Sequence, residues 1–213
     1  MVLMKITNAE ASKHSRISEE RVNELLDIAS EVFVEHGFAA ASVGEMARRG
    51  KTSKSTYYRR YPRKEDLFVA VIQRWASEFS VRFRSSLASD SPEEALSAFG
   101  KALCELVLEP RSIAMVRILY MEARSFPEVA KGFYQHGYGP VMELLTDYLR
   151  GQVRAGAMHI EHTAIAADQF ADGLLGEPTR RLALGIVEEI APRELDLRLQ
   201  TAVRGFLAAY RKR

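Results

Sequence analysis

At 213 residues, with 47% hydrophobic and 27% charged residues, the chain has the composition of a soluble globular protein of one large domain or two modest ones, not of a disordered one. No run approaches the ~18 apolar residues of a membrane span, Met1-Val2-Leu3-Met4-Lys5-Ile6 lacks a signal-peptide core, and the single cysteine, Cys104, excludes an intrachain disulfide. The net charge of +2 hides an asymmetry: Ser42 to Lys64 carries eight Lys/Arg against Glu45 alone, leaving the rest of the chain at −5.

Nearly every periodic stretch repeats at helical spacing, which predicts an all-α protein of around ten helices. Residues 1–17 have no apolar face and read as a flexible tail. Ser18 is the expected N-cap of a helix running to His36, with the stripe Val22, Leu25, Leu26, Ala29, Val32, Phe33 and a stop at Gly37. Ser42 and Glu45 have the spacing of a capping box for a second helix. A third spans roughly Lys54 to Arg60, since the residue before Pro62 is pushed out of helical geometry. Pro62 then opens a long fourth helix to about Leu87, a rod of roughly 37 Å at ~1.5 Å per residue. Proline-initiated helices are expected from Pro92 to about Leu108, then near 111–124, 127–135 and 140–155, the last closed by Gly156. Thr163 to Leu175 follows, with Pro178 and Pro192 each beginning one more.

The basic stretch has the layout of a helix-turn-helix, and a compact cationic patch of this kind is what a duplex phosphate backbone selects. Ser42 offers a hydroxyl and free backbone N–H groups to a phosphate. The polar start of the third helix, Ser53, Lys54, Ser55 and Thr56, suits the end of a recognition helix that enters the major groove. Lys54 can donate to guanine O6/N7, and Ser55 or Thr56 to several base edges. Tyr57 offers its ring to a thymine methyl and Tyr58 its hydroxyl to a phosphate. Lys64, beside the unpaired N–H groups of the fourth helix, is unfavourable against the helix dipole unless an anion sits there.

Residues 18–80 resemble the N-terminal domain of the TetR (tetracycline-repressor) family through Ser42, Met46-Ala47, Gly50-Lys51-Thr52-Ser53, Thr56-Tyr57-Tyr58, Tyr61, Lys64-Glu65 and Leu67. The resemblance implies phosphate contacts for Ser42, Thr56, Tyr58 and Lys64, and a base-facing side of Lys54, Ser55, Tyr57 and Arg60. Lys51 stands where the family usually has the turn glycine, so either a lysine adopts left-handed geometry at a cost of about 1 kcal/mol or the turn is rebuilt around Gly50. Thr52 replaces a buried valine, and its hydroxyl needs a partner. Met115 to Gly176, with Glu122-Ala123-Arg124-Ser125-Phe126-Pro127-Glu128, Phe133, Leu149-Arg150 and Gly156, is similar to the AefR-like C-terminal domain.

The domain division expected is therefore a tail at 1–17, a helix-turn-helix head at 18–66 with its motif at about 42–61, and a ligand-binding and dimerisation bundle at 67–213. Phe99, Met115, Leu119, Phe126, Phe133, Met142 and Phe170 are the expected lining of an apolar pocket in that bundle. Phe170, Leu174, Leu199, Val203, Phe206 and Tyr210 are the expected faces of a four-helix subunit interface. His159-Ile160-Glu161-His162 has no cysteine or second carboxylate nearby to make a zinc site, so no metal or cofactor is expected. No Gly-rich phosphate loop or nucleophile–base grouping is present, which argues against an enzyme. The reading is a cytoplasmic, homodimeric regulator, most simply a repressor, that binds a near-palindromic double-stranded operator and answers to an apolar or aromatic small molecule, with no membrane partner. Its rival is a helical ligand-binding or scaffolding protein whose head no longer reads sequence.

Overall fold

The computed structural model describes residues 18–212, so the expected tail at 1–17 lies outside the described residues. Among those described there are ten α-helices and no β-strand: α1 (Glu19–Ala40), α2 (Val43–Arg49), α3 (Lys54–Arg60), α4 (Lys64–Ser86), α5 (Pro92–Val107), α6 (Pro110–Glu122), α7 (Pro127–Phe133), α8 (Gly139–Arg154), α9 (Thr163–Ala183) and α10 (Pro192–Tyr210). A π-helical turn, Tyr134–Tyr138, joins α7 to α8.

Two large cores and a small third cluster organise the described residues. In the first, the α1 stripe (Val22, Leu25, Leu26, Ala29, Val32, Phe33) meets Met46 and Ala47 of α2, Tyr57 of α3, and Leu67, Phe68, Val71, Ile72 and Trp75 of α4. Met115, Ile118 and Leu119 of α6 and Val129 of α7 complete it, so this core crosses the division expected at 66/67. The second core gathers the far end of α4 (Phe83) with α5, α8, α9 and α10. Here α5 lies close against its neighbours: a methyl on Gly100 would sit 2.5 Å from Leu199 and 3.2 Å from Leu174. Cys104 packs in the same core, and burial pushes its thiol up to about 11.

Local sequence accounts for most boundaries. Ser18 caps α1 by accepting from the Arg21 amide at 3.2 Å. Gly37 takes φ +75° and breaks the helical path, though Phe38–Ala40 continue as a last turn beyond the kink. Gly156, at φ +74°, closes α8.

Three boundary expectations need correction. The Ser42/Glu45 capping box does not form: Ser42 Oγ accepts from the Gly44 amide at 3.2 Å, while Glu45 is drawn away by Arg48 (2.7 Å) and Arg49 (2.8 Å). The fourth helix begins at Lys64 rather than Pro62, because Asp66 accepts the Arg63 amide at 3.0 Å and sets the N-terminus there. Pro178 begins no helix; it lies buried inside α9. The last turns of α9 are held across that proline by side chains from elsewhere, Arg117 donating to the Leu182 and Ala183 carbonyls (2.6 and 2.9 Å) and Arg198 to Glu177 (2.5 Å).

Gly100→Val should lower stability by about 1–3 kcal/mol, since the added bulk must displace Leu199 and Leu174 from a filled core. Denaturant unfolding of the purified variant checks this; wild-type stability would mean that α5 can slide away freely.

Candidate DNA interface and bundle cavity

In the head, Tyr57 ties α3 to α1. Tyr57 is 2% exposed, and its hydroxyl donates to the Leu25 carbonyl at 3.0 Å. Burial pushes that phenol up to about 12. The expectation that Tyr57 reads a thymine methyl is therefore overturned: its ring locks α3 onto α1 and does not reach a groove. Tyr58, one step of about 100° around the helix, is 46% exposed.

At the turn, Lys51 has φ +46° while Gly50 has φ −76°. The lysine itself takes the left-handed position. Gly50 has a different duty, because a methyl there would sit 2.8 Å from Leu25 and 3.1 Å from the Met46 carbonyl. The Gly50 carbonyl also accepts from the Arg21 guanidinium. The Thr52 hydroxyl donates to Thr56 Oγ1 at 3.0 Å, which supplies the partner it needs. Thr56 in turn meets Ser53 Oγ at 3.0 Å, and Ser53 meets Ser55 Oγ at 2.7 Å. The hydroxyls at the start of α3 thus form one linked array, with Ser53 Oγ also accepting the Thr56 amide.

Ser42, Ser53, Lys54, Ser55, Tyr58 and Arg60 are exposed, and Thr56 is half-buried. Lys54 lies over the start of α2, where a methyl on Gly44 would come within 2.7 Å of its Cε. Lys64 makes contacts within the head that its sequence position does not announce. Its Nζ donates to the Ala39 and Ala41 carbonyls (2.8 and 3.2 Å) and stands 4.7 Å from the Phe38 ring centroid. Burial lowers its pKa. Local carbonyls accept two of the three hydrogens of its ammonium. Arg49 joins Glu45 to Glu35, Arg48 pairs with Glu45 and Arg63 with Asp66; the two guanidiniums hold Glu45 at about 2. The cations of the motif with no ion-pair partner among the described residues are Lys51, Lys54, Arg59 and Arg60. From the sequence, Lys51 reads only as a turn residue and Arg59 only as one of eight cations. Their signal was only the absence of an acid three or four residues away.

A cavity of about 1030 Å³ lies between the two cores. Ile72, Trp75 and Ala76 of α4 form one wall, Leu103, Leu106 and Val107 of α5 another, and Val116, Arg117, Tyr120 and Met121 of α6 a third. Phe133, Gly137, Tyr138, Val141 and Met142 close it from the α7–α8 side, and α9 adds Ala171, Asp172, Leu175 and the residues of its last turns. The Tyr138 hydroxyl donates to Asp168 at 3.1 Å, and the Trp75 indole donates to Glu109 at 3.0 Å. Burial raises the Glu109 carboxyl above its ordinary value. Of the expected lining, Phe133 and Met142 are in place. Phe99 packs against Phe83 in the second core, and Phe170 stacks edge-on to Phe206. Met115, Leu119 and Phe126 face the first core. The reason is helical phase: residues 115, 118 and 119 turn toward α1, and a step of about 100° brings 116, 117, 120 and 121 to the cavity.

On the outer side of α9 and α10 an open groove of about 630 Å³ runs over Phe170, Phe206 and Tyr210, bordered by Gly173, Leu197, Thr201, Gly205 and Ala209. Leu174 and Val203 are fully buried within the chain and Leu199 packs on Gly100. Leu174 and Leu199 face Gly100 of α5.

An all-α chain with an exposed polar recognition helix, a left-handed turn and a separate cavity in a helical bundle defines a helix-turn-helix regulator that binds DNA. The chain belongs to the tetR family of bacterial regulatory proteins: that family's model matches residues 25–71, and the model of the AefR-like transcriptional repressor C-terminal domain matches residues 94–212, more than half of the chain. Its relatives include the HTH-type transcriptional regulator YvkB of Bacillus subtilis, 25% identical over 182 residues that cover 84% of this chain and 92% of that one. A TetR-family transcriptional regulator of Mesorhizobium loti superposes with a TM-score of 0.82 at 20% identity, over 93% of this chain and all of that one. The flavonoid-responsive regulator FrrA superposes with a TM-score of 0.74 at 24% identity, over 92% and 100%. These relatives are transcriptional regulators, not enzymes.

Two substitutions separate scaffold from readout. Tyr57→Phe should cost about 1 kcal/mol of stability by removing a buried hydrogen bond, with sequence preference unchanged. Lys54→Ala should leave stability alone and weaken discrimination at one base position by about 1–3 kcal/mol. Thermal unfolding and binding to mutated duplexes check both; a shift of base preference in Tyr57→Phe would return that ring to the groove. Independently, Lys51→Gly should raise stability by up to about 1 kcal/mol by relieving the left-handed lysine. A lower melting temperature in that variant would mean that the turn carries no strain.

Proposed function

We propose that this regulator acts as a homodimer, as a repressor released by an apolar or aromatic small molecule bound in the bundle cavity. The observation that carries this is the placement of the cavity. Its walls α4 and α6 each turn one face to it and another to the core beneath the DNA-reading helices. An occupant that prefers one arrangement of those walls must, to the same extent, prefer one arrangement of the head. Two heads would read the half-sites of a near-palindromic operator, α3 meeting base edges through Lys54, Ser55 and Arg60, with Ser42, Thr56 and Tyr58 on the backbone. The dimer would act on chromosomal DNA in the cytoplasm.

The second subunit would sit on the α9–α10 groove. Gly173 and Gly205 there have open space where a side chain would stand, which lets a partner helix approach closely, and Leu197 is 55% exposed at its edge. The ions Glu177, Arg181, Glu194 and Arg198 form a network across the two helices (2.5–3.0 Å) that holds the groove's end. A ligand-binding helical protein without DNA reading is less favoured, because the turn at Lys51 and Thr52 keeps its geometry and hydrogen bonds.

Selection of bound duplexes from a random pool tests the reading. Recovery of an inverted repeat is expected, with affinity falling steeply as salt rises; a random pool would refute sequence reading. Arg59→Ala or Lys51→Ala should reduce the logarithmic salt slope by about 0.9 for each phosphate left without its cation, and Lys64→Ala should leave it unchanged. Sedimentation should show a dimer that Leu197→Glu converts to monomer; an intact dimer would place the interface elsewhere. Trp75 is the only tryptophan and lines the cavity, so its emission reports occupancy directly. A planar flavonoid is a first compound to titrate, given the response that names FrrA.

A further inference from the structure

The segment Glu122–Pro127 runs from the last residue of the cavity helix α6 to the start of α7 and lines no part of the cavity. Its side chains instead reach the head. Glu122 Oε1 accepts the Ala39 amide at 3.0 Å, across 83 residues of sequence. Lys64 Nζ donates to the carbonyl of that same residue at 2.8 Å and to the Ala41 carbonyl at 3.2 Å. Phe126 stacks edge-on against Phe38 at 4.8 Å. The backbone so gripped begins at Gly37, φ +75°, and ends at Ser42, the N-cap of α2. Ala39 and Ala40 are exposed and bring no packing of their own.

We propose that residues 37–41 are a latch between cavity and head, with Glu122 and Phe126 as its positioning residues. The segment enters α2 directly, so its displacement reorients the helix that leads into the recognition helix. A carboxylate on the amide and an ammonium on the carbonyl hold one residue's backbone from both sides, and the two holders belong to different walls of the cavity, α6 and α4. An occupant that pushes α6 outward through Val116 draws Glu122 from Ala39, while Lys64 keeps its grip. The kink then turns instead of following α6. The latch rests on the ligand-linked reading above for its purpose, but its mechanical part is measurable without DNA.

Hydrogen exchange on the full-length protein is the test. Glu122→Ala should speed exchange across residues 37–41 by about tenfold, with residues 54–60 unchanged, and Glu122→Gln, which keeps an acceptor oxygen, should match wild type. Val116→Trp, which adds bulk to the cavity from α6, should speed the same segment in wild type and add nothing in Glu122→Ala. If Val116→Trp does not fold, saturating 1-anilinonaphthalene-8-sulfonate takes its place in the wild-type cavity. Unchanged exchange in folded Glu122→Ala overturns the latch, as does a response to cavity filling that persists without the carboxylate. Duplex binding by the same proteins separates the two proposals. A chain that follows this exchange pattern yet binds no selected duplex keeps the latch and refutes the ligand-responsive DNA regulator.

Discussion

Four phenylalanine rings from three parts of the chain meet in the first core: Phe33 and Phe38 of α1, Phe68 of α4 and Phe126 before α7, with centroids 4.8–5.7 Å apart. Three of these contacts are edge-on, the arrangement that ring quadrupoles favour, and Phe33, Phe38 and Phe68 have no solvent exposure. The head therefore has no closed core of its own. It borrows α4 and the α6–α7 corner to bury its apolar stripe, and polar contacts follow the same joints: Arg74 on Asp27 (3.0 Å) and Arg111 on Ser30 (3.0 Å). Close-packed rings cannot deform smoothly, so a displaced α6 must move its partners or break contacts. That is why a cavity between the cores is able to matter to helices that never touch it.

The same economy governs charge. Eight cations crowd residues 42–64, yet Arg48, Arg49 and Arg63 are answered by nearby acids and Lys64 by backbone carbonyls. What remains outward is a smaller set, Lys51, Lys54, Arg59 and Arg60, around the turn and along α3. Surface ion pairs of this kind contribute little to stability, but they fix which guanidiniums are committed to the scaffold. The left-handed Lys51 belongs to this balance. It holds a charge at the tip of the turn where glycine would relax the backbone and carry none.

Much of this was legible in the sequence. Helical period, proline starts and the glycine stops at 37 and 156 give nearly every element, and the spacing from Ser42 to Leu67 locates the motif. The errors arise where one residue of phase decides. Tyr57 and Tyr58 are equal as residue types; only the α1–α3 packing makes one an anchor and the other a surface group. On α6 the pattern marks Met115 and Leu119 as apolar but does not say which neighbour lies on which side, and the cavity falls one step around, at Val116 and Tyr120. Leu174 and Leu199 read as part of an interface stripe, but Gly100 brings α5 against both. Pro178 misleads for a different reason, since tertiary bonds from Arg117 and Arg198 override a local breaker. The grip of Glu122 and Lys64 on Ala39 spans distant segments and has no local signature.

Energetic coupling of cavity and DNA-reading head would require reciprocity of binding. The affinity of a cavity ligand, followed by Trp75 emission, is measured for the free protein and again with saturating selected duplex; duplex affinity is then measured with and without saturating ligand. Both ratios should depart from one and agree with each other, at about 5–150-fold for coupling of ordinary strength. Ratios of one in both directions, with both partners bound, would contradict it.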